Sequence, residues 1–317
     1  MSMSQADIQA LLSSQPADGK EAATSTQTES TASNQITTPV EKQTTPSGAL
    51  DYDMAKRESL GFFTDISQEH WLLRKELTKA RQHNGNKNPT QPMKTPAAWY
   101  QTNWDPDFAC FHEDSIGGND DGHKWVCDPH RLNQYQDCLI YSFGSNRNFH
   151  FEGHLQKVAP NCEIHIFDPT DYSKQMANFG GLERATYHAW GLKASYNQTN
   201  PEDSTTKFSA RFEKMLAKDT FKTLAETMEE LGHTGRRIDV FKIDCEGCEW
   251  KTFQDFLRQD MRQILIEVHD FCRVTNDFFQ ELHDNNFVMF HKEPNIQWSN
   301  GNCVEFSFLR LDQSYFA

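Results

Sequence analysis

From residue 138 onward, short β-rich runs alternate with helix-patterned segments, and this alternation restricts the fold more than any other feature. The runs are CLIYSF (138–143), CEIHIFD (162–168), ATYHAW (185–190), IDVFKID (238–244), QILIEVH (263–269), FVMFHKE (287–293) and CVEFSFLRL (303–311). Each is bounded by turn residues, as strands are. Between them NFHFEGHLQKVAP, FEKMLAKDTFKTLAETMEELGH, CEWKTFQDFLRQ and TNDFFQELHDN read as helices. Strands joined through helices call for a parallel sheet with right-handed crossovers. Only a short Pro/Asn/Gly loop separates the last two strands, so these are expected to pair antiparallel at one edge. The fold class is an α/β, Rossmann-like, doubly wound sheet of seven strands with an antiparallel edge strand.

Three regions follow. Residues 1–50 are dominated by Ser, Thr, Gln, Pro and Ala, with too few large apolar side chains to offset the entropy of ordering, and read as a disordered tail. Residues 51–94 form a helical extension and linker. Within FTDISQEHWLLRKELTKARQH, Ile66, Leu73, Leu77 and Ala80 share one helical stripe, Asp65 is a candidate cap, and NGNKNPTQP ends the helix. Residues 95–317 carry the sheet.

Charge and hydropathy narrow the function classes. The chain has 31 Lys and Arg against 45 Asp and Glu, a net charge of −14, and no run of five or more basic residues. A surface that tracks phosphates is therefore not expected, and nucleic acid is not the expected partner. No stretch approaches the ~18–20 apolar residues that span a bilayer, and MSMSQADIQALLSSQ lacks the basic and apolar regions of an export signal. A cytoplasmic chain is expected, with the secretory route as the alternative if the N-terminus is incomplete; Asn197, in the acceptor pattern Asn-Gln-Thr, matters only on that route. The eight cysteines are scattered through a large domain, so reduced core thiols are expected unless the compartment is oxidising, the even count leaving disulfides as the alternative. The Cys245-x-x-Cys248 pair lacks a second pair to complete a zinc set, and both thiols are expected to pack in the core.

In open α/β sheets, ligands bind beyond the carboxyl ends of the strands where the strand order reverses. After the first strand comes YSFGSNRNF, in which Gly144 permits close backbone approach. After the second comes FDPT, and Asp168 stands 168 − 144 = 24 residues beyond that glycine. An acid at about this distance suits a ribose diol, because a carboxylate accepts hydrogen bonds from both hydroxyls. The alternative is an ordinary turn at Gly144 and a cap at Asp168. A nicotinamide oxidoreductase would carry G-x-G-x-x-G at the turn. The single glycine of GSNRNF favours a cofactor without a pyrophosphate, S-adenosylmethionine being the candidate.

DCLIYSFGSNRNFHFE, EIHIFDPT, HAWGL and FKIDCEGCEW…ILIEVH together resemble the seven-stranded class I methyltransferases. More narrowly they resemble the methyltransferase-like protein 24 group, which is related to the FkbM-type enzymes. The upstream DGHKWVCDPHRL resembles the same group, so the likeness spans approximately residues 95–311. The resemblance implies that Gly144, Ser145 and Asn146 contact the methionine part of S-adenosylmethionine and Asp168 its ribose. His188, Trp190 and Gly191 would line the adenine or the substrate mouth. It also implies O-methylation of a sugar or other small-molecule hydroxyl, a glycan included. Many methyltransferases carry further glycines where this chain has Arg147 and Asn148, and that departure motivates a second reading, a non-catalytic binding protein on the same fold.

Methyl transfer from a sulfonium needs an aligned nucleophile and the removal of its proton. IDVFKID runs straight into CEGCEW, whose Gly247 turns the chain into a helix carrying Trp250, Phe253 and Phe256 toward the sheet. Asp244 and Glu246 at this turn, and His269 at the next strand end, are the candidate catalytic residues. Glu267 shares a strand face with His269, and the two are a candidate base or ligand pair. The competing readings are favourable helix-start charges for Glu246 and Glu249, a hydrogen-bonded sheet end for His269, and a backbone-orienting role for Asp244. No metal is expected, although oxygen and imidazole ligands at this edge leave a divalent ion as a variant.

Overall fold

The computed structural model describes residues 68–81, 95–118, 121–195, 220–270 and 274–311. The N-terminal tail, Asp65, Ile66 and the Asn197 acceptor lie outside them. In chain order the elements are α1 (Gln68–Arg81), α2 (Pro96–Thr102), β1 (Glu113–Ile116), β2 (Lys124–Cys127), β3 (Leu139–Phe143), α3 (His150–Val158), β4 (Glu163–Phe167), α4 (Ser173–Phe179), β5 (Ala185–His188), β6 (Gly191–Leu192) and β7 (Phe221–Lys222). There follow α5 (Leu224–Glu230), β8 (Ile238–Ile243), α6 (Glu249–Phe256), β9 (Met261–His269), α7 (Thr275–Asp284), β10 (Phe287–Pro294), α8 (Ile296–Ser299) and β11 (Cys303–Arg310).

All seven strands expected from the sequence join one sheet, in the order β10-β11-β9-β8-β3-β4-β5. β3 pairs in parallel with both β4 and β8, β4 with β5, and β8 with β9. β11 runs antiparallel between β9 and β10, so the two final strands form the antiparallel end of the sheet. β3 and β8 are wholly buried along their length, as strands covered by helices on both faces must be. One apolar layer contains Tyr141, Phe143, Phe167, Phe241, Trp250, Phe253, Phe256 and Phe278. The other contains Ile140, Ile164, Ile166, Val240, Leu265, Phe151 and Leu155. Trp250, Phe253 and Phe256 pack on the sheet as their spacing requires. The strand order reverses between β3 and β8, which places the switch point at Gly144 and Asp244.

The helix α1 and the hairpin β1–β2 lie outside the alternation. α1 forms where the periodicity places a helix, but among its described side chains Trp71 and Lys75 are the buried ones, while Leu72 and Leu77 are exposed. What it meets is α7 and the turn after it: the Trp71 indole donates to Asn286 Oδ1 (3.4 Å), the Lys75 ammonium donates to the same oxygen (2.8 Å), and Trp71 sits edge-on to His283. An amphipathic aromatic and a lysine stem suit that surface better than leucine. The hairpin β1–β2 docks on the sheet through buried Gln263, which accepts from the Cys127 N–H (2.9 Å) and donates to its carbonyl (2.8 Å). Trp125 stacks on His291 at 4.3 Å between ring centroids.

The expectation of reduced cysteines is overturned. Cys110–Cys127, Cys138–Cys162 and Cys245–Cys248 are disulfides, and Cys303 is a free thiol. Spacing along the chain concealed the first two pairs, because folding brings together residues 17 and 24 positions apart. Native alkylation without reductant, followed by peptide mapping, is expected to recover all three linked pairs and to label Cys303. Alkylation of Cys245 or Cys248 under those conditions would show that this pair is not closed.

Candidate functional site

The strand ends at the switch point are tied to one another. Gly144 N–H donates to Phe167 O (2.8 Å), Asp244 N–H to Phe143 O (3.0 Å) and Asp168 N–H to His188 O (3.2 Å). Gly144 has φ +82°, and a Cβ there would lie 1.7 Å from the Asp244 carbonyl oxygen, so no other residue fits. The Lys242 ammonium donates to Gly144 O at 2.6 Å. The following turn uses two left-handed residues that are not glycine, Asn146 (φ 42°) and Arg147 (φ 63°). Asp168 holds it: one carboxylate oxygen accepts the Asn146 N–H (2.9 Å) and the other the Thr170 N–H (2.8 Å). Gly144, buried Ser145, Asn146 and Asp168 are thereby brought together, as the 24-residue separation suggested.

His188 and Trp190 form an aromatic wall beside them. The His188 ring stacks on Phe167 (4.9 Å between centroids) and leans on Trp190 (4.6 Å). Burial, reinforced by His165, pushes the His188 imidazole down to about 4, so the ring is neutral at physiological pH. The Trp190 indole donates to Thr227 Oγ1 (3.3 Å), and the Lys222 ammonium lies 4.0 Å from the centre of its ring. Gly191 passes so close to Phe221 that a Cβ would lie 2.6 Å from that ring. An uncharged aromatic wall beside a carboxylate that grips a glycine turn is chemistry that could hold a nucleoside.

Asp244, Glu246 and His269 also meet. His269 Nδ1 lies 3.1 Å from Glu249 Oε1, which also accepts the His269 backbone N–H (2.8 Å). Its Nε2 lies 3.8 Å from Asp244 Oδ1, 3.7 Å from Glu246 Oε2 and 3.8 Å from Glu267 Oε2. Burial opposes the charge, yet Glu249, Asp244 and Glu267 raise His269 well above the ordinary histidine value. The ring is therefore an imidazolium that donates at neutral pH. Asp244 is held below the usual carboxylate range: burial acts against ionisation, but Lys124, Lys242 and His269 outweigh it. Glu267 is raised by burial and by its neighbours Asp244 and Glu305. Two adjacent carboxyls with opposite shifts mark the edge as a functional candidate. Glu246, left-handed at φ 57°, has its side chain 81% exposed.

Sequence reasoning missed Lys124, Lys242 and Glu305, and it gave Glu249 only the role of a helix-start charge. Lys124, carried in by the β1–β2 hairpin, is almost fully buried, 2.6 Å from Glu305 Oε1 and 3.5 Å from Asp244 Oδ2. Burial would discharge it, but Glu305, Asp244 and Glu267 keep it charged. The available signal was a lysine inside each of two apolar runs, HKWVC and DVFKI. The Cys245–Cys248 disulfide closes the turn that bears Glu246, which corrects the expectation of two packed thiols. Its physical cause is the tight turn itself, which uses consecutive left-handed residues at Glu246 and Gly247 and brings the two Cα atoms to 5.4 Å.

A family model described as a methyltransferase domain matches residues 53–310. The chain belongs to that methyltransferase-domain family. Its sheet order, with the last strand antiparallel beside the fifth of the parallel set, is that of a class I methyltransferase fold. Among curated proteins, this methyltransferase-family chain is 25% identical over 199 residues to "Probable methyltransferase-like protein 24" of Homo sapiens, covering 55% of the chain and 50% of that protein. It is 27% identical over 139 residues to the Rattus norvegicus protein of the same name, covering 42% and 33% respectively. The chain thus spans half or less of the length of these relatives. Among solved structures it is similar to an rRNA methylase from Streptococcus thermophilus (TM-score 0.35, 10% identity, 58% of this chain and 94% of that one). It is similar also to mitomycin 7-O-methyltransferase (TM-score 0.30, 10% identity, 58% and 53%). No helix among the described residues is long and apolar enough to cross a membrane.

Proposed function

We propose that the chain is an S-adenosylmethionine-dependent methyltransferase acting on a hydroxyl of a sugar or other small molecule. The observation that carries this reading is the joining of Gly144, Asp168 and Asp244 at the switch point. The turn Gly144–Asn146, the Asp168 carboxylate and the neutral His188–Trp190 wall suit the cofactor's amino-acid, ribose and adenine parts in turn. When bound, S-adenosylmethionine supplies a methyl group on a sulfonium, and its transfer leaves a neutral thioether.

Asp244 accepts a hydrogen bond from the acceptor hydroxyl and takes its proton as the oxygen–methyl bond forms. Its lowered basicity is sufficient, because an alkylated hydroxyl that still holds its proton is a far stronger acid than any carboxylic acid. The His269 imidazolium, anchored by Glu249, holds Asp244 and Glu246 in place and is a positioning residue. Lys124 and Lys242 keep Asp244 ionised. Glu246, exposed at the turn, receives the acceptor. The hydroxyl preference rests on the resemblance to the FkbM-type enzymes, and the net charge of −14 supports a substrate other than nucleic acid. Three disulfides favour an oxidising compartment over the cytoplasm.

Calorimetry with S-adenosylhomocysteine tests the cofactor reading. Folded protein that shows no binding heat would instead be a methyltransferase-fold binding protein, as the glycine-poor turn would then explain. For turnover, His269→Ala is expected to leave cofactor affinity within about twofold and to lower kcat. Because the folded His269 is raised, its positioning charge is present at low and neutral pH and lost as pH rises through the raised value. The wild-type rate should therefore fall on the alkaline side, and that limb should vanish in His269→Ala. An unchanged pH profile in the variant removes His269 from the mechanism.

A further inference from the structure

Behind the aromatic wall, Glu163, His165 and His233 converge with no part in methyl transfer itself. Glu163 and His165 stand two apart on β4 and so project to one face, and His233 follows α5. His165 Nε2 lies 3.0 Å from Glu163 Oε1, and His233 Nε2 lies 3.6 Å from the same oxygen. The two imidazoles pack edge to face at 4.8 Å between centroids. One donor atom from each residue lies within 4.8 Å of the other two, a spread that one small ion can draw in to bond lengths of about 2 Å.

The rear of each ring is also fixed. His165 Nδ1 is 2.8 Å from His188 Nε2, and His233 Nδ1 is 2.7 Å from the Tyr141 hydroxyl. With the proton on each Nδ1, His165 donates to His188 and His233 donates to Tyr141, leaving both Nε2 lone pairs facing Glu163. Metal-bound histidines show this arrangement, the distal N–H given to an outer partner that sets tautomer and orientation. The Arg236 guanidinium donates to the remaining Glu163 oxygen at 2.9 Å and fixes the plane of the carboxylate.

We propose that Glu163, His165 and His233 form a zinc site with water in the fourth position. Two imidazoles and one carboxylate are a donor set that zinc accepts in tetrahedral geometry. The ion ties β4 to the segment after α5, and through His165 it steadies His188 in the aromatic wall. The two other groupings of metal-binding side chains among the described residues suit an ion less well. In one, Lys124 already sits against Glu305 and Asp244. The other, Glu267, His269 and Cys303, relies on an imidazole held in its charged form.

The test starts from full-length protein stripped with a chelator and titrated with zinc chloride by calorimetry. One equivalent is expected to bind. His165→Gln combined with His233→Gln should weaken binding at least 100-fold, Tyr141→Phe by about 10-fold or more, and Cys303→Ser should not change it. Cobalt loading should give visible ligand-field bands without a thiolate charge-transfer band. These wild-type measurements stand even if the double variant fails to fold. The proposal is overturned if stripped wild-type protein takes up no zinc, if binding survives the double substitution, or if Cys303→Ser abolishes it or a thiolate band appears. Uptake of zinc without S-adenosylhomocysteine binding would leave the zinc site standing and remove the methyltransferase reading.

Discussion

Asp168→Ala is expected to weaken S-adenosylhomocysteine binding by about 10- to 100-fold, the scale of losing charge-assisted hydrogen bonds worth roughly 1.5–3 kcal/mol. Two effects act together. The carboxylate that would accept the ribose hydroxyls is gone, and the Asn146 and Thr170 N–H groups lose the acceptor that shapes the turn. A carboxylate offers about four lone-pair positions, so the two backbone bonds leave capacity for a diol. Calorimetry on the variant, with its thermal unfolding measured alongside, separates lost affinity from lost fold. Binding within twofold of wild type by a stable variant would show that Asp168 only caps the turn.

Gly144→Ala is expected to destabilise the chain by about 3 kcal/mol or more, combining left-handed strain with overpacking against backbone. At roughly 2–4 °C per kcal/mol, this is a fall in Tm of roughly 10 °C. The obstacle is the Asp244 carbonyl, 1.7 Å from the added carbon, and it can yield only if β3 and β8 separate at their ends. Gly180→Ala is the control, because that residue also has positive φ (+74°) but nothing within 4 Å of an added Cβ. Its cost should be limited to the strain of the backbone. Equal melting of the two variants would mean that the close approach at the switch point carries no constraint.

The two ends of the chain differ in how far their sequence could be read. The seven strands were legible because apolar, β-branched and aromatic runs bounded by turns have few other fates, and their alternation with helices left one sheet topology. Gly144, Asp168 and Asp244 were legible as candidates because in such a sheet ligands bind beyond the carboxyl ends of the strands at the switch point. The inward face of α1 was not. Leu73 and Leu77 fit a helical stripe, yet Trp71 and Lys75 are the residues buried, because an indole and an ammonium can pack there and still reach Asn286. The disulfides were hidden for a related reason, since pairing depends on distance in space. Only the three-residue spacing of Cys245 and Cys248 hinted at one of them.

The sequence by itself determined the α/β sheet, its antiparallel end and the strand ends at which Gly144, Asp168, Asp244 and His269 gather, because these follow from local periodicity and chain connectivity. The tertiary structure alone decided the ionisation of that edge. Lys124 arrives from a hairpin 120 residues before Asp244, and Glu249 from the far side of the turn. Together they set which carboxyl is ionised and hold His269 as a donor. Charge state in a buried site depends on the sum of neighbours within a few ångströms, and those neighbours come from segments that only folding assembles.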